Sequence, residues 1–144
     1  MITEAITNYT LVCSFISWFA AQFLKIFTGA YRNKKFNFTE LVFASGGMPS
    51  SHSAAVSALC TASFFEYGIG SFQFTVTFIL ALIVMRDAAG VRNQVGKQAK
   101  LLNQICEDNF SNLKELVGHT PFQVCVGLVL GIVIAVAFKL IYKI

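Results

Sequence analysis

The chain contains two histidines, and both stand in the same kind of place. His52 closes the stretch Gly46-Gly47-Met48-Pro49-Ser50-Ser51-His52, and His119 lies in Gly118-His119-Thr120-Pro121. An apolar run follows each. Imidazole trades protons near neutrality because its ordinary pKa is about 6.5. Two such groups beside Ser, Thr and Pro helix-start signals point to proton transfer or nucleophilic attack at a boundary between water and an apolar medium. Ser50 and Ser51 offer hydroxyls that can cap a helix, and the N–H groups of a helix start can receive phosphate oxygens. The two glycines before them let the backbone turn tightly. In the second stretch Thr120 reads as an N-cap and Pro121 as the first helical residue, which leaves His119 just outside the helix. The plainer alternatives are an ordinary Ser-capped loop and a hydrogen-bonded interfacial histidine.

Cationic residues accompany both stretches. Lys25 and Arg32 are seven apart, about two helical turns, so they share a face if one helix carries both. A point charge and a planar fork together can clamp an anion. Snorkelling at a membrane boundary is the competing use. Arg86, Asp87 and Arg92 form a second charged group, either part of an anion site or, for Arg86 with Asp87, an ion pair closing a helix end.

The elements that must position these residues are hydrophobic helices. Of 144 residues, 56% are hydrophobic and 12% charged, and 15 are Phe. A soluble domain carries about twice that charge fraction, so lipid is the implied solvent. The run 122–140 holds one charge, Lys139, and is long enough to cross a hydrocarbon core, which takes about 20 residues. The run 11–27 is a second candidate. The runs 54–65 and 72–85 are shorter and read as spans finished by Ser, Thr and charged flanks. The expectation is one all-α integral-membrane domain over 1–144, with about four transmembrane helices near 7–28, 52–67, 71–88 and 120–141. Val91, Val95, Ala99, Leu102 and Ile105 recur at helical spacing with Arg92, Lys97 and Lys100 between them. That pattern predicts an amphipathic helical connector over about 89–106. Leu113, Leu116 and Val117 add a short turn before His119. The first apolar run lacks a basic leader and a small-residue cleavage site, and reads as a retained span. Cys13, Cys60, Cys106 and Cys125 show no metal-type spacing, which argues against a zinc or disulfide framework.

The net charge of +4 is concentrated in the connectors 29–53 and 86–120, whereas 66–71 holds no Lys or Arg. The positive-inside tendency places both basic connectors in the cytoplasm, with Lys139 and Lys143 weighing the other way. Attraction to anionic headgroups suits these charges. Nucleic acid does not, because no soluble surface gathers them. An even path through the membrane brings Lys25, Arg32, His52, Arg86, Asp87, Arg92 and His119 to one face. Ionisable residues at membrane depth are functional candidates, since burying them unpaired is costly. Gly127 and Gly131 form a Gly-x3-Gly element that permits close helix approach, in a homodimer or within one chain.

Together these elements resemble the type-2 phosphatidic-acid phosphatase superfamily, which includes vanadium-dependent haloperoxidases and bacterial acid phosphatases. Lys25 to Arg32 matches its Lys-x6-Arg-Pro element, with Asn33 in place of Pro. Pro49-Ser50-Ser51-His52 matches Pro-Ser-Gly-His, with Ser51 in place of Gly. His119 with Gln123 matches part of Arg-x5-His-x3-Asp. The closer resemblance is to a small, divergent bacterial and plastid branch, carried by Gly-Met-Pro-Ser-Ser-His, by Asp87-Ala88-Ala89-Gly90-Val91-Arg92 and by Gly118-His119-Thr120-Pro121.

The resemblance implies a helical bundle and metal-independent hydrolysis of a phosphomonoester, with no cofactor. By analogy His119 attacks phosphorus and His52 protonates the leaving alkoxide. Lys25, Arg32 and the Ser50/Ser51 backbone then hold the phosphoryl oxygens. Two positions depart from the superfamily: Leu113 replaces its phosphate-binding Arg, and Gln123 replaces the Asp that orients the nucleophile. An amide cannot stabilise imidazolium as a carboxylate does. Arg86 or Arg92 could supply the charge, and Asp87 or Glu115 the carboxylate. The expected substrate is a phosphorylated lipid at the cytoplasmic face of a bacterial plasma membrane. The competing reading is a non-catalytic protein that binds or translocates a phosphorylated lipid.

Overall fold

In the computed structural model, residues 8–33, 47–105, 113 and 118–142 are described. They form five helices: α1 (Tyr9–Asn33), α2 (Ser51–Tyr67), α3 (Phe72–Ala89), α4 (Val91–Ile105) and α5 (Pro121–Tyr142). Among the described residues there is no strand.

The outward surface is apolar. Phe15, Phe19, Phe23 and Phe27 recur every four residues along α1, and all four are exposed. The opposite face of the same helix carries Cys13, Ser17, Ala21 and Lys25, also four apart and all buried. Large side chains outside and small ones inside is the pattern of a helix bundle in lipid, where close backbone approach replaces the hydrophobic effect between helices. Helices α1, α3 with its continuation, and α5 are each long and apolar enough to cross a membrane, over Tyr9–Thr28, Phe72–Ile105 and Pro121–Ile141. The chain is therefore an all-α membrane protein.

Among the described residues three helices, rather than four, meet that standard unaided. The exception is α2. Its 17 residues rise about 25 Å, short of a hydrocarbon core of about 30 Å. It packs against α1, α3 and α5, burying Ser51, Ser53, Ala54, Ser57, Ala58, Ala62 and Ser63. Enclosed by protein, it has little need of large apolar side chains.

The tightest packing joins α2 to α5. A methyl group on Gly127 would strike the Ser50 carbonyl, and one on Gly131 would strike the Ser57 hydroxyl and the Ala54 carbonyl. Val124 and Ala135 complete the buried face of α5. The Gly127/Gly131 element is thus used within the chain, and α2 covers the face that a homodimer through these glycines would need. Tyr9 Oη donates to the Ala135 carbonyl at 2.6 Å and fastens α1 to α5. Gly131→Val is expected to lower stability by about 1–3 kcal/mol through overpacking against backbone. Thermal unfolding in detergent would measure this.

Glycines and a Ser cap mark the α2–α3 turn. Gly68 adopts φ +79, and Ser71 Oγ accepts from Phe74 N–H at 3.1 Å. Helix α4 is the connector, at Val91–Ile105 against an expected 89–106. The helix breaks at Gly90, whose N–H bonds the Arg86 carbonyl at 2.8 Å, and α4 begins at Val91. Val91, Val95, Leu102 and Ile105 form an exposed stripe on α4. At 100° per residue, Lys97 and Lys100 fall on the other side, an arrangement suited to a membrane interface. The turn expected at Leu116 and Val117 lies outside the described residues.

Candidate functional site

The site begins with the end of α1. Lys25 is the last member of the buried small-residue stripe and is only 7% exposed. Its Nζ donates to Ser51 Oγ at 3.2 Å, and its stem lies 3.9 Å from where a Gly47 side chain would begin. Among the described residues no carboxylate pairs with it. Arg32 lies in the last turns of the same helix, and its side chain is outside the described residues.

The segment entering α2 is fastened on two sides. Thr28 Oγ1 donates to the Met48 carbonyl at 2.6 Å, and Ser50 N–H donates to the Gln123 carbonyl at 3.2 Å. Gly47 has φ +103, a backbone conformation that a side chain would strain. Ser50 is the N-cap of α2, accepting from Ser53 N–H at 3.3 Å and from the Ser53 hydroxyl at 2.9 Å. Its hydroxyl is committed to structure. Ser51 is buried and turned to Lys25, whereas His52, one residue on, is exposed.

His119 is held from the opposite side. Its N–H donates to the Ala88 carbonyl at the end of α3, at 3.1 Å. Gly118 lies so close to the backbone of Arg92 and Asn93 that a side chain there would collide with α4. The imidazole is only 3% exposed. Both ring nitrogens are buried with no hydrogen-bond partner among the described residues. Burial, then the Lys25 ammonium, push its pKa below the ordinary histidine value, and His52 adds to this. The Gln123 side chain and the Gly47 backbone act the other way. Lys25, His52 and His119 therefore share one electrostatic neighbourhood.

Gln123 has a definite structural task. Its Oε1 accepts from Thr120 N–H at 2.9 Å, while Thr120 Oγ1 accepts from Gln123 N–H at 3.3 Å. This reciprocal pair is a capping box, and the Thr-x-x-Gln spacing in the sequence encodes it. The charged group on α3 and α4 is also rearranged from the simplest expectation. Asp87 pairs with Arg92 at 2.6 Å across the Gly90 break, and not with Arg86. Both members are exposed, and both act electrostatically on His52. Arg86 is exposed, and no described hydrogen bond or ion pair joins its side chain to Lys25, Ser51 or His119. Leu113 is bound through its backbone to the Asn103 side chain, at 3.0 and 2.9 Å. That anchor lies ten residues along α4 from the Asn93 contact of Gly118, about 15 Å away. Position 113 is thus remote from His119. Glu115 lies outside the described residues. Among the described residues no three His, Cys, Asp or Glu side chains form a metal-binding group.

An all-α membrane bundle with a buried lysine, a serine-capped helix start and two histidines at one end defines a class of protein. Residues 6–134 match the family model described as the divergent PAP2 family. The chain belongs to that family. It is similar to the uncharacterized membrane protein YuiD of Bacillus subtilis (strain 168), being 38% identical over 149 residues that cover 91% of this chain and 94% of the relative. No solved structure matches the chain.

Proposed function

We propose that this protein is a metal-independent membrane phosphatase that hydrolyses a lipid phosphomonoester through a phosphohistidine intermediate. The observation that carries the reading is His119, buried beside the Lys25–Ser51 pair with neither ring nitrogen partnered among the described residues. A buried polar group without a partner is uncommon enough to need a reason. A phosphoryl group to attack supplies one. In the first step a neutral His119 nitrogen forms a bond to phosphorus as the ester P–O bond breaks, and protonated His52 gives its proton to the leaving alkoxide. In the second, His52 takes a proton from water, whose oxygen attacks phosphorus as the P–N bond breaks and phosphate leaves. Lys25, Ser51 and the N–H groups opening α2 hold the phosphoryl oxygens, with Arg32 and the Asp87–Arg92 pair as further charge. The exposure of His52 suits a group that must meet both leaving group and water. The basic connectors favour a site facing the cytoplasm, in a bacterial plasma membrane.

The test is phosphate release by purified protein from lipid and soluble phosphomonoesters. No release from any of them would sink the hydrolase. The second reading is a non-catalytic phosphate or phospholipid site. The Thr120–Gln123 capping box favours it, since the side chain at the expected carboxylate position is an amide whose oxygen caps α5. Vanadate protection against thermal unfolding without turnover would select it.

The pH dependence has a defined sign. With its folded pKa lowered, His119 stays neutral as the pH falls past about 6.5, where an unfolded histidine takes up its proton. The acid limb of kcat/KM is therefore expected below pH 6.5. The His119 contribution to stability is present above that pH and lost on further acidification. A rate profile on a soluble phosphomonoester, with unfolding measured at each pH, checks both.

A further inference from the structure

Helix α4 is the one least attached to the bundle. Among the described helices it packs only against α3, and of its 15 residues only Gly96 and Ala99 are buried. At 3.6 residues per turn the exposed Val91, Val95, Leu102 and Ile105 fall within an arc of about 80°, with Gln98 the single polar residue among them. The helix carries Arg92, Lys97 and Lys100 and no Asp or Glu. Asp87 neutralises Arg92. Lys97 and Lys100 are exposed and have no ion-pair partner among the described residues.

Position and charge say what this face meets. The 18 residues of α3 rise about 27 Å, nearly the full thickness of a hydrocarbon core of about 30 Å. The break at Gly90 therefore delivers α4 to the boundary between hydrocarbon and water. A helix that is apolar on one side and cationic on the other binds at headgroup level, and its two uncompensated lysines complement an anionic leaflet. The same helix also braces the segment that carries His119. The Gly118 backbone lies against that of Arg92 and Asn93, and the Asn103 side chain holds both the N–H and the carbonyl of Leu113. One residue past Gly118, the His119 N–H reaches the Ala88 carbonyl of α3.

We infer that α4 lies on an anionic leaflet and, held there, braces the His119 segment against the end of α3. The partner is the charged lipid surface, and Lys97 and Lys100 are the groups that read it. Neither lysine belongs to the phosphoryl site, so the inference stands apart from the hydrolase. Leaflet charge thereby sets how firmly His119 is held.

The full-length protein would be placed in phosphatidylcholine vesicles with or without phosphatidylglycerol, a phosphodiester that a monoester hydrolase does not consume. Hydrogen exchange at the His119 amide reports the brace. Quenching by brominated lipids of the indole in Leu102→Trp, made in a Trp18→Phe background, reports the depth of α4. Bromine near the headgroup end of the chains is expected to quench most. Phosphatidylglycerol should slow exchange at His119 about 30-fold, roughly fivefold for each of the two lysines. Lys97→Gln combined with Lys100→Gln should remove that effect, whereas Lys25→Met should keep it. Exchange indifferent to phosphatidylglycerol, or a lipid effect that survives the double variant, would overturn the inference. An unquenched indole would do the same, as would strongest quenching by bromine at the chain ends, which makes α4 a continuation of the α3 span. Loss of the lipid effect in Lys25→Met would also overturn it, by placing the anion in the buried site. None of these readouts needs turnover, so the hydrolase and the brace stand or fall separately.

Discussion

His119→Ala is expected to abolish phosphate release, with a fall of about four or more orders of magnitude in kcat, the scale seen when a nucleophilic unit is broken. The cause is loss of the attacking nitrogen rather than loss of the fold. His119 is anchored by its backbone N–H to the Ala88 carbonyl, and among the described residues its ring nitrogens have no hydrogen-bond partner. Deleting an imidazole that leaves no partner unsatisfied costs only packing. Helix content and unfolding temperature should therefore stay near those of the unaltered protein while activity disappears. Trapping acid-labile phosphate on the protein during turnover gives a second readout, and His119→Ala should show none. Full activity in this variant would end the mechanism outright.

Lys25→Met separates affinity from stability. The lysine is buried, with one hydroxyl partner and no paired carboxylate among the described residues. A buried charge so weakly compensated is a burden on the fold, and a side chain of similar length without the charge relieves it. The variant should match or exceed the original in thermal stability. Its affinity for phosphate or vanadate should fall about 10- to 100-fold, through loss of a charge-assisted hydrogen bond to the ligand. Titration calorimetry and unfolding curves on the same preparation decide this. A parallel fall in both quantities would mark Lys25 as a purely structural residue.

Much of the site was legible because its signals are local. Ser50 before α2 and Thr120-Pro121 before α5 are helix-start chemistry, and the two histidines flank those starts. The shared end of the bundle followed from counting crossings. The burial of Lys25 was harder to see. It depends on the stripe Cys13-Ser17-Ala21-Lys25 facing inward, whereas a hydropathy reading gives the phenylalanines the interior. In lipid that preference reverses, and small residues every fourth position are the informative signal. The same reversal explains α2, whose serines and alanines look too polar for a span until its neighbours enclose it. The partner of Asp87 was missed for another reason. Adjacent residues on a helix point to different sides, which disfavours Arg86 with Asp87, and the break at Gly90 lets Arg92, five residues on, reach Asp87. Gln123 carried two overlapping messages, a capping box and a position four residues after a histidine. Its Oε1 follows the first.

The helix ends at the site are tied to one another mainly through the main chain: Ser50 N–H to the Gln123 carbonyl, His119 N–H to the Ala88 carbonyl, and the Thr28 hydroxyl to the Met48 carbonyl. Of these three links, only the last needs a particular side chain. The shape of the cleft is thus insulated from the identity of many groups that point into it. Such a cradle can exchange a carboxylate for an amide, or a glycine for a serine, without losing its outline. For this chain, altered motif letters and a preserved cleft are compatible, and its reagents can be re-specified one residue at a time.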